Sequence, residues 1–174
     1  MQKDKNFTKK SASNHTLFKS PCYQPILFLS QPKVLIVEDN QLIQYFMKTY
    51  FTKLGFQVDI AEDGLKAMDM FKSGYDLILL DIHMPNMNGI EVAKSIRLYE
   101  KTHLGNKNIL ISISTFDDLL IEKFKDVGFD DNYKKPALYD DLNGIIHKWI
   151  PHLIASKSQQ FPPPFKEAKT KGFL

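Results

Sequence analysis

Acidic side chains follow two apolar segments of this 174-residue chain, at the point where each segment ends. The run 34–37 leads into Glu38 and Asp39, and the run 77–80 leads into Asp81. Short continuous apolar runs are typical of strands that are buried on both faces of a parallel sheet. If the two strands are neighbours, three carboxylates meet, and unit charges about 4 Å apart repel by roughly 4 kcal/mol. Such a cluster must bind protons or a cation, and its hard oxygen ligands suit Mg²⁺.

A hydroxyl group and an amine follow two further segments. One apolar run ends at Ser114, and another segment ends at Lys135, directly before Pro136, which cannot continue a strand. In open parallel sheets, ligands bind beyond the carboxyl ends of the strands, so we expect these side chains to join the acids. Asp81 could then be the nucleophile of a phosphoryl transfer, with Mg²⁺, Lys135 and Ser114 stabilising charge on the transferring oxygens.

Five alternating strands and helices are predicted to position these groups. The predicted strands cover 34–37, 57–60, 77–80, 109–114 and 129–135. The first predicted helix covers about 41–54, the second begins after Gly64, and the third begins near Asn88. The fourth covers about 119–127, and the fifth begins near Asp140 as its N-cap. This alternation implies an α/β fold, a flavodoxin-like, doubly wound, five-stranded parallel sheet with helices on both faces.

Charge divides the chain into three parts. Residues 1–31 carry five lysines and one acid, residues 156–174 carry four lysines and one acid, and residues 32–155 have a net charge of −4. We predict one domain over 32–155, between two basic tails that are solvated and mostly disordered. The alternative is that a tail binds nucleic acid, an anionic membrane or an acidic partner. The C-terminal tail contains three consecutive prolines, which favour an extended polyproline form that some recognition domains bind. It lacks the spaced PxxP signature of such a ligand, so we predict a linker or loose tail.

The single cysteine, Cys22, excludes an intrachain disulfide and fits a reducing compartment. No apolar run approaches the roughly 18 residues that a membrane span needs. The run 26–29 is too short for the core of a signal peptide, which has about 7–15 residues. We therefore expect a cytoplasmic protein without a transmembrane segment.

The motifs at the strand ends resemble, in the same order, those of the receiver domain of two-component response regulators. They are VLIVEDN, LILLDIHMPNMNG, ISIST and the Lys135-Pro136 pair. The resemblance covers about residues 32–154. It implies that Asp81 is the phospho-acceptor and a ligand of Mg²⁺.

The resemblance also implies roles for the residues around the phospho-acceptor. Asp39 would bind Mg²⁺ directly, Glu38 would bind it through water, and the main-chain carbonyl of His83 would complete the metal site. Ser114 would be the switch hydroxyl, and Lys135 would pair with the phosphoryl group. No other cofactor is implied.

A stand-alone signalling receiver is the function that this resemblance implies. A histidine kinase or a phosphotransfer protein would phosphorylate Asp81, and a downstream protein would recognise the surface of the fourth helix, fifth strand and fifth helix. About 20 residues follow residue 154, too few for a DNA-binding domain, so we expect output through a protein partner, a phosphate relay or a phosphate sink.

Such a receiver is not an enzyme with a separate substrate, although it can catalyse its own phosphorylation and dephosphorylation. Two alternatives remain open. The chain could be an interaction module that phosphate does not regulate, or an aspartyl-phosphate phosphatase with His83 in the place of the general acid. The absence of a cap domain in the sequence counts against the phosphatase.

Three positions depart from the receiver pattern. Thr115 stands where Ala or Gly is usual, and its larger side chain is expected to narrow access to the phosphorylated aspartate. The aromatic switch residue usually lies three residues before the lysine, where this chain has Asn132, and Tyr133 follows one position later. A shift of one residue turns a side chain to the opposite face of a strand, so we expect an altered readout. The segment from Ser114 to Lys135 is also one residue short, so the loop that enters the fourth helix should differ.

Overall fold

The computed structural model describes residues 30–103, 107–115 and 126–154, and the strands of these residues form one parallel sheet. The strands are β1 (Lys33–Val37), β2 (Gln57–Ala61), β3 (Leu77–Asp81), β4 (Leu110–Ser114) and β5 (Asp131–Lys134). Their order across the sheet is β2-β1-β3-β4-β5. The two strands that lead into acids, β1 and β3, are therefore neighbours at its centre.

Helices cover both faces of the sheet. They are α1 (Gln41–Leu54), α2 (Gly64–Met70), α3 (Gly89–Thr102) and a C-terminal helix (Tyr139–Trp149). The predicted α/β fold, a flavodoxin-like, doubly wound parallel sheet, is confirmed. The predicted fourth helix lies mainly outside the described residues, and so do almost all residues of the two basic tails. None of the described helices combines the length and the apolar character that a membrane span needs.

Two apolar layers enclose the sheet because successive side chains of a strand point to opposite faces. Ile36 and Leu79 pack in the layer with α1 and the C-terminal helix, whereas Leu35 and Leu80 pack in the layer with α2 and α3. Every residue of β3 is buried. Burial on both faces explains why the sequences of β1 and β3 are almost continuously apolar.

Local hydrogen bonds set the ends of the helices. Asn40 caps α1 through its side chain, and Gly55 ends the helix at φ 99°. The C-terminal helix begins at Tyr139, and its N-cap is Leu138, so the predicted N-cap at Asp140 is wrong. Asp141, at the third helical position, accepts a hydrogen bond from the main-chain N of Leu138 at 2.9 Å, which fixes the earlier start.

Candidate functional site

Three carboxylates converge at the carboxyl ends of β1 and β3. The two strands pair in parallel with Val37 opposite Leu80, so the residues that follow them share one edge of the sheet. Carboxylate oxygens of Glu38, Asp39 and Asp81 all lie within 4.8 Å of one another. The predicted acid cluster is therefore present, and it is called the acidic edge below.

The acids of this edge differ in exposure. Glu38 and Asp81 are buried, with 2% and 5% of their surface exposed, whereas Asp39 is exposed. The helix cap is Asn40, so Asp39 does not cap α1 and its carboxylate stays at the edge. Oxygen ligands from the protein on one side and open solvent on the other are what a partly hydrated Mg²⁺ ion requires. The donor set fits Mg²⁺, with Asp39 and Asp81 placed to bind it and Glu38 beside them.

Lys135 joins two of the acids. Its Nζ lies 2.7 Å from Oε2 of Glu38 and 2.8 Å from Oδ2 of Asp81. The residue follows β5 directly, and its peptide bond to Pro136 is cis. Burial opposes the positive charge, but the hydrogen bonds to Asp81 and Glu38 outweigh it and raise the pKa of Lys135 above its usual value. Lys135 therefore stays protonated at neutral pH.

Glu38 has the opposite balance. Burial raises the pKa of its carboxyl group, the hydrogen bond from Lys135 lowers it, and the charge of Asp81 raises it again, with a net upward shift. Among residues 30–103, 107–115 and 126–154, Lys135 is the lysine that contacts these acids, and one positive charge does not neutralise three neighbouring carboxylates. The acidic edge therefore keeps an electrostatic demand for a further cation.

Main-chain groups hold Asp81 in place. Its Oδ1 accepts a hydrogen bond from the main-chain N of His83 at 3.1 Å, while Oδ2 faces Lys135. Gly89 begins α3 so close to this segment that a Cβ atom there would lie 2.1 Å from the main-chain O of Asp81. A glycine is therefore required where α3 starts beside the candidate nucleophile.

Ser114 lies at the same edge. It is the last residue of β4, it is buried, and its main-chain O accepts a hydrogen bond from the main-chain N of Lys135 at 2.7 Å. Asp81 pairs with Ile113 in the register of β3 and β4, so Ser114 lies one residue further toward the carboxyl edge of the sheet than Asp81. Thr115 comes next and is exposed. The structure thus brings the predicted lysine into contact with the acids and places Ser114 at the same edge of the sheet.

The two residues of β5 that depart from the receiver pattern point to opposite faces of the sheet. Asn132 pairs with Ser112, and Tyr133 pairs with Ile113. The Oγ of Ser112 donates a hydrogen bond to Oδ1 of Asn132 at 2.5 Å. Tyr133 packs in the layer with α1 and the C-terminal helix. The predicted turn of the aromatic side chain to the other face is therefore correct.

No sequence signal pointed to Gln44. Its side-chain Nε2 donates a hydrogen bond to the main-chain O of Glu38 at 2.6 Å. A main-chain acceptor leaves no trace in the pattern of side chains. The only available hint was that Gln44 lies one helical turn after Asn40, at the end of α1 nearest the acids.

An apolar rim borders the acidic edge and was also not foreseen. It consists of Leu42 and Tyr45 in the first turns of α1, and of Leu138 and Tyr139 at the start of the C-terminal helix. Their exposed fractions are 81%, 73%, 59% and 45%, in that order. A groove of about 200 Å³ beside them is lined by Tyr45, Phe46, Thr49, Tyr50, Lys53 and Tyr139. Contiguous exposed apolar side chains commonly mark an interaction surface.

Comparison with known proteins agrees with this geometry. Residues 34–147 match the family model of the response regulator receiver domain. The chain is 38% identical over 128 residues to hybrid signal transduction histidine kinase I of Dictyostelium discoideum, covering 68% of this chain but only 7% of that protein. It is 31% identical over 120 residues to sporulation initiation phosphotransferase F of Bacillus subtilis, covering 68% of this chain and 94% of that protein.

A solved structure shares the fold. It is the complex of the Saccharomyces cerevisiae histidine phosphotransfer signalling protein Ypd1 with the receiver domain of its downstream response regulator Ssk1. The match has a TM-score of 0.65 and 28% identity, and it covers 68% of this chain and 88% of the other.

Proposed function

The chain belongs to the response regulator receiver family, and we propose that it accepts a phosphoryl group on Asp81 from a histidine kinase or a phosphotransfer protein. The observation that carries this proposal is the contact of Lys135 Nζ with Oδ2 of Asp81, 2.8 Å long, inside a cluster of three acids. A carboxylate alone at a strand end could be a turn residue. A buried carboxylate with a lysine, two further acids and a nearby hydroxyl has the groups that phosphoryl transfer uses.

In the proposed reaction, a carboxylate oxygen of Asp81 forms a bond to phosphorus as the bond from phosphorus to the donor's imidazole nitrogen breaks. The imidazole leaves neutral after taking up a proton, and the product is an aspartyl phosphate. Asp81 is suited to this step because its position is fixed by the main chain of His83 and by Lys135. Fixed geometry removes part of the entropic barrier to transfer.

Lys135 and Ser114 would stabilise the charge that develops on the phosphoryl oxygens. Lys135 remains protonated because its contacts with the acids raise its pKa, and the hydroxyl of Ser114 can donate one hydrogen bond. Mg²⁺ held by Asp39, Asp81 and the carbonyl of His83, with Glu38 acting through water, would supply the remaining positive charge. These roles follow from the family's motif and from the donor set at the acidic edge.

The apolar rim is the surface that we propose for the phosphate donor. The donor's histidine must reach Asp81, so its surrounding surface must rest on the residues that border the acidic edge. In the part of the chain that the structure describes, the large exposed apolar side chains at that border are Leu42, Tyr45, Leu138 and Tyr139. Interface hot spots are enriched in tyrosine, and two of these four side chains are tyrosines.

We propose that output is a change in partner binding or a relay of phosphate by a stand-alone receiver, rather than an enzymatic activity on a separate substrate. The predicted binding site for a downstream protein remains the surface formed by the fourth helix, β5 and the C-terminal helix, which is the fifth helix of the predicted fold. Its fourth helix falls largely outside the described residues. The alternative, a module that phosphate does not regulate, is favoured only by Asn132 in the place of the aromatic switch residue.

The test of the proposal is phosphorylation of the full chain by a small phosphodonor with Mg²⁺. We expect a mass gain of one phosphoryl group in the wild type and none in Asp81→Asn. Beryllofluoride should shift the NMR signals of residues around Asp81 in the wild type alone. A wild type with no mass gain and no Asp81-dependent shift would refute the proposal and favour the unregulated module.

A further inference from the structure

We infer that Gln44 is a positioning residue for the cation-binding acids, an inference that rests on the proposed function. Its Nε2 donates a hydrogen bond to the main-chain O of Glu38 at 2.6 Å. Its main-chain N donates to the main-chain O of Asn40 at 2.9 Å, within the first turn of α1. Gln44 thus joins a rigid helix to the peptide unit that connects Glu38 with Asp39.

This hydrogen bond acts on Asp39 because the peptide unit is planar. The carbonyl of Glu38 and the main-chain N of Asp39 lie in one plane, so holding the carbonyl fixes the direction in which the chain enters Asp39. Asp39 is exposed, and within the described ranges its carboxylate has no hydrogen bond or ion pair of its own. Its place within 4.8 Å of Glu38 and Asp81 is therefore set by the main chain.

Glu38 is held independently of Gln44. Its main-chain N donates to the main-chain O of Ala61 at 3.1 Å, and its carboxylate pairs with Lys135. Loss of the Gln44 donor should leave β1 intact and loosen mainly the peptide that leads to Asp39. Groups that orient metal ligands directly contribute roughly 10- to 100-fold to metal affinity. Acting through one peptide unit, Gln44 should contribute about 3- to 10-fold to the affinity for Mg²⁺.

The first experiment compares the wild type with Gln44→Met, which keeps the length of the side chain but has no donor. The full chain is titrated with Mg²⁺ while the amide NMR signals around the acids are followed, and phosphorylation by a small donor is measured over the same range. We expect the Mg²⁺ dissociation constant to rise about 3- to 10-fold, with an unchanged rate at saturating Mg²⁺. Gln41→Met, an exposed position in the same helix, should match the wild type.

A rescue experiment separates positioning from a general weakening of α1. Gln44→Arg restores a donor, and Gln41→Arg adds the same charge three residues earlier. Tighter Mg²⁺ binding by Q44R than by Q44M, with Q41R no tighter than the wild type, supports the inference.

Three results would overturn it: wild-type affinity in Q44M, an equal loss in Q41M, or no recovery in Q44R. A wild type that neither binds Mg²⁺ nor accepts phosphate overturns the proposed function together with the inference. If the wild type binds Mg²⁺ and accepts phosphate, and Q44M behaves identically, only the proposed role of Gln44 is overturned.

Discussion

Two clusters of charged side chains at opposite ends of the sheet are built on different principles. At the acidic edge, the described residues place one lysine in contact with two of the three carboxylates. At the other end, Arg97 of α3 donates to Glu100, to Asp130 and to two main-chain carbonyls, and Lys107 also pairs with Asp130. We call this second group the Arg97 cluster. It contains two positive and two negative side chains, so its charges balance.

The difference appears in the pKa values of two glutamates. Burial raises the pKa of both groups, but the hydrogen bonds from Arg97 and Asn108 outweigh it at Glu100 and give a net downward shift. At Glu38, burial outweighs the hydrogen bond from Lys135, and the pKa is raised. A cluster that stabilises the fold satisfies its charges with the protein's own groups. A cluster that leaves a charge unsatisfied has capacity for a ligand, and the acidic edge is of this kind.

The largest effect is expected from Arg97→Met. The substitution leaves Glu100 and Asp130 without their main partner and removes hydrogen bonds to Gly128 and Asn108, so we expect the free energy of unfolding to fall by about 3 kcal/mol. Urea denaturation measures this loss, and Lys101→Met on the exposed side of the same helix is the control. Phosphorylation of the folded fraction should be unchanged. A loss below about 1 kcal/mol would contradict the structural role of the Arg97 cluster.

The two clusters also differ in how far they can be foreseen from sequence. The acids, Ser114 and Lys135 each lie at the carboxyl end of a strand or directly after it, and the topology brings these strand ends together, so local patterns sufficed. Arg97 instead contacts groups 3, 11, 31 and 33 residues away, and two of these are main-chain carbonyls. The pairing of such groups is set by the packing of α3 against the loops before β4 and β5. A local pattern carries no information about that packing.

Capping shows a second limit of local patterns. Asp140 has the residue type that N-caps prefer, yet the helix is capped at Leu138 because Asp141 reaches back to its main-chain N. This one hydrogen bond, from the main-chain N of Leu138 to the carboxylate at the third helical position, outweighed the preference for an acidic residue at the cap itself. Asn40 and Asn88 have both the preferred residue type and the observed cap, and there the predicted helix starts agree with the structure to within one residue.

The next largest effect is expected from Lys135→Met at the acidic edge. Removal of one charge-stabilising donor from a transfer site slows the reaction by roughly 100-fold, and we expect that loss in phosphorylation by a small donor. The buried charges of Glu38 and Asp81 would also repel without the lysine. The variant should therefore become more stable on addition of Mg²⁺, measured as a rise in its melting temperature. Mg²⁺ should raise the melting temperature of Arg97→Met by no more than it raises that of the wild type. An equal rise in Lys135→Met and Arg97→Met would contradict the comparison.

A smaller effect is expected on the pH dependence of stability, where the two glutamates should differ in sign. The raised pKa of Glu38 contributes stability that is present below its unfolded pKa and is lost as pH rises through the folded pKa. The lowered pKa of Glu100 contributes stability that is present above its unfolded pKa and is lost as pH falls through the folded value. At neutral pH without metal, Glu38→Gln should therefore stabilise the chain and Glu100→Gln should destabilise it, each by roughly 1 kcal/mol.

Urea unfolding in EDTA between about pH 3 and pH 8 measures both curves. For each variant, the difference from the wild type should shrink in acid, where both glutamates are protonated. Addition of Mg²⁺ should reverse the gain in stability of Glu38→Gln, because a bound cation is stabilised by the Glu38 carboxylate, which this variant lacks. If both variants lose stability at neutral pH, Glu38 is satisfied by the protein alone and the contrast between the clusters fails.

The smallest effect on stability is expected at the apolar rim, which belongs to neither cluster. Tyr45 is 73% exposed, so Tyr45→Ala should change the free energy of unfolding by no more than about 0.5 kcal/mol. If the phosphate donor docks there, transfer from a phosphorylated partner protein should slow by about tenfold, which corresponds to about 1.4 kcal/mol of docking energy. Phosphorylation by a small donor should be unaffected, because Asp81 and Lys135 are untouched. Leu98→Ala, at an apolar position on α3 that is 65% exposed, is the matched control. If Tyr45→Ala and Leu98→Ala slow transfer from the partner protein equally, the apolar rim is not the docking surface. If Tyr45→Ala also slows phosphorylation by the small donor, Tyr45 acts on the acidic edge itself.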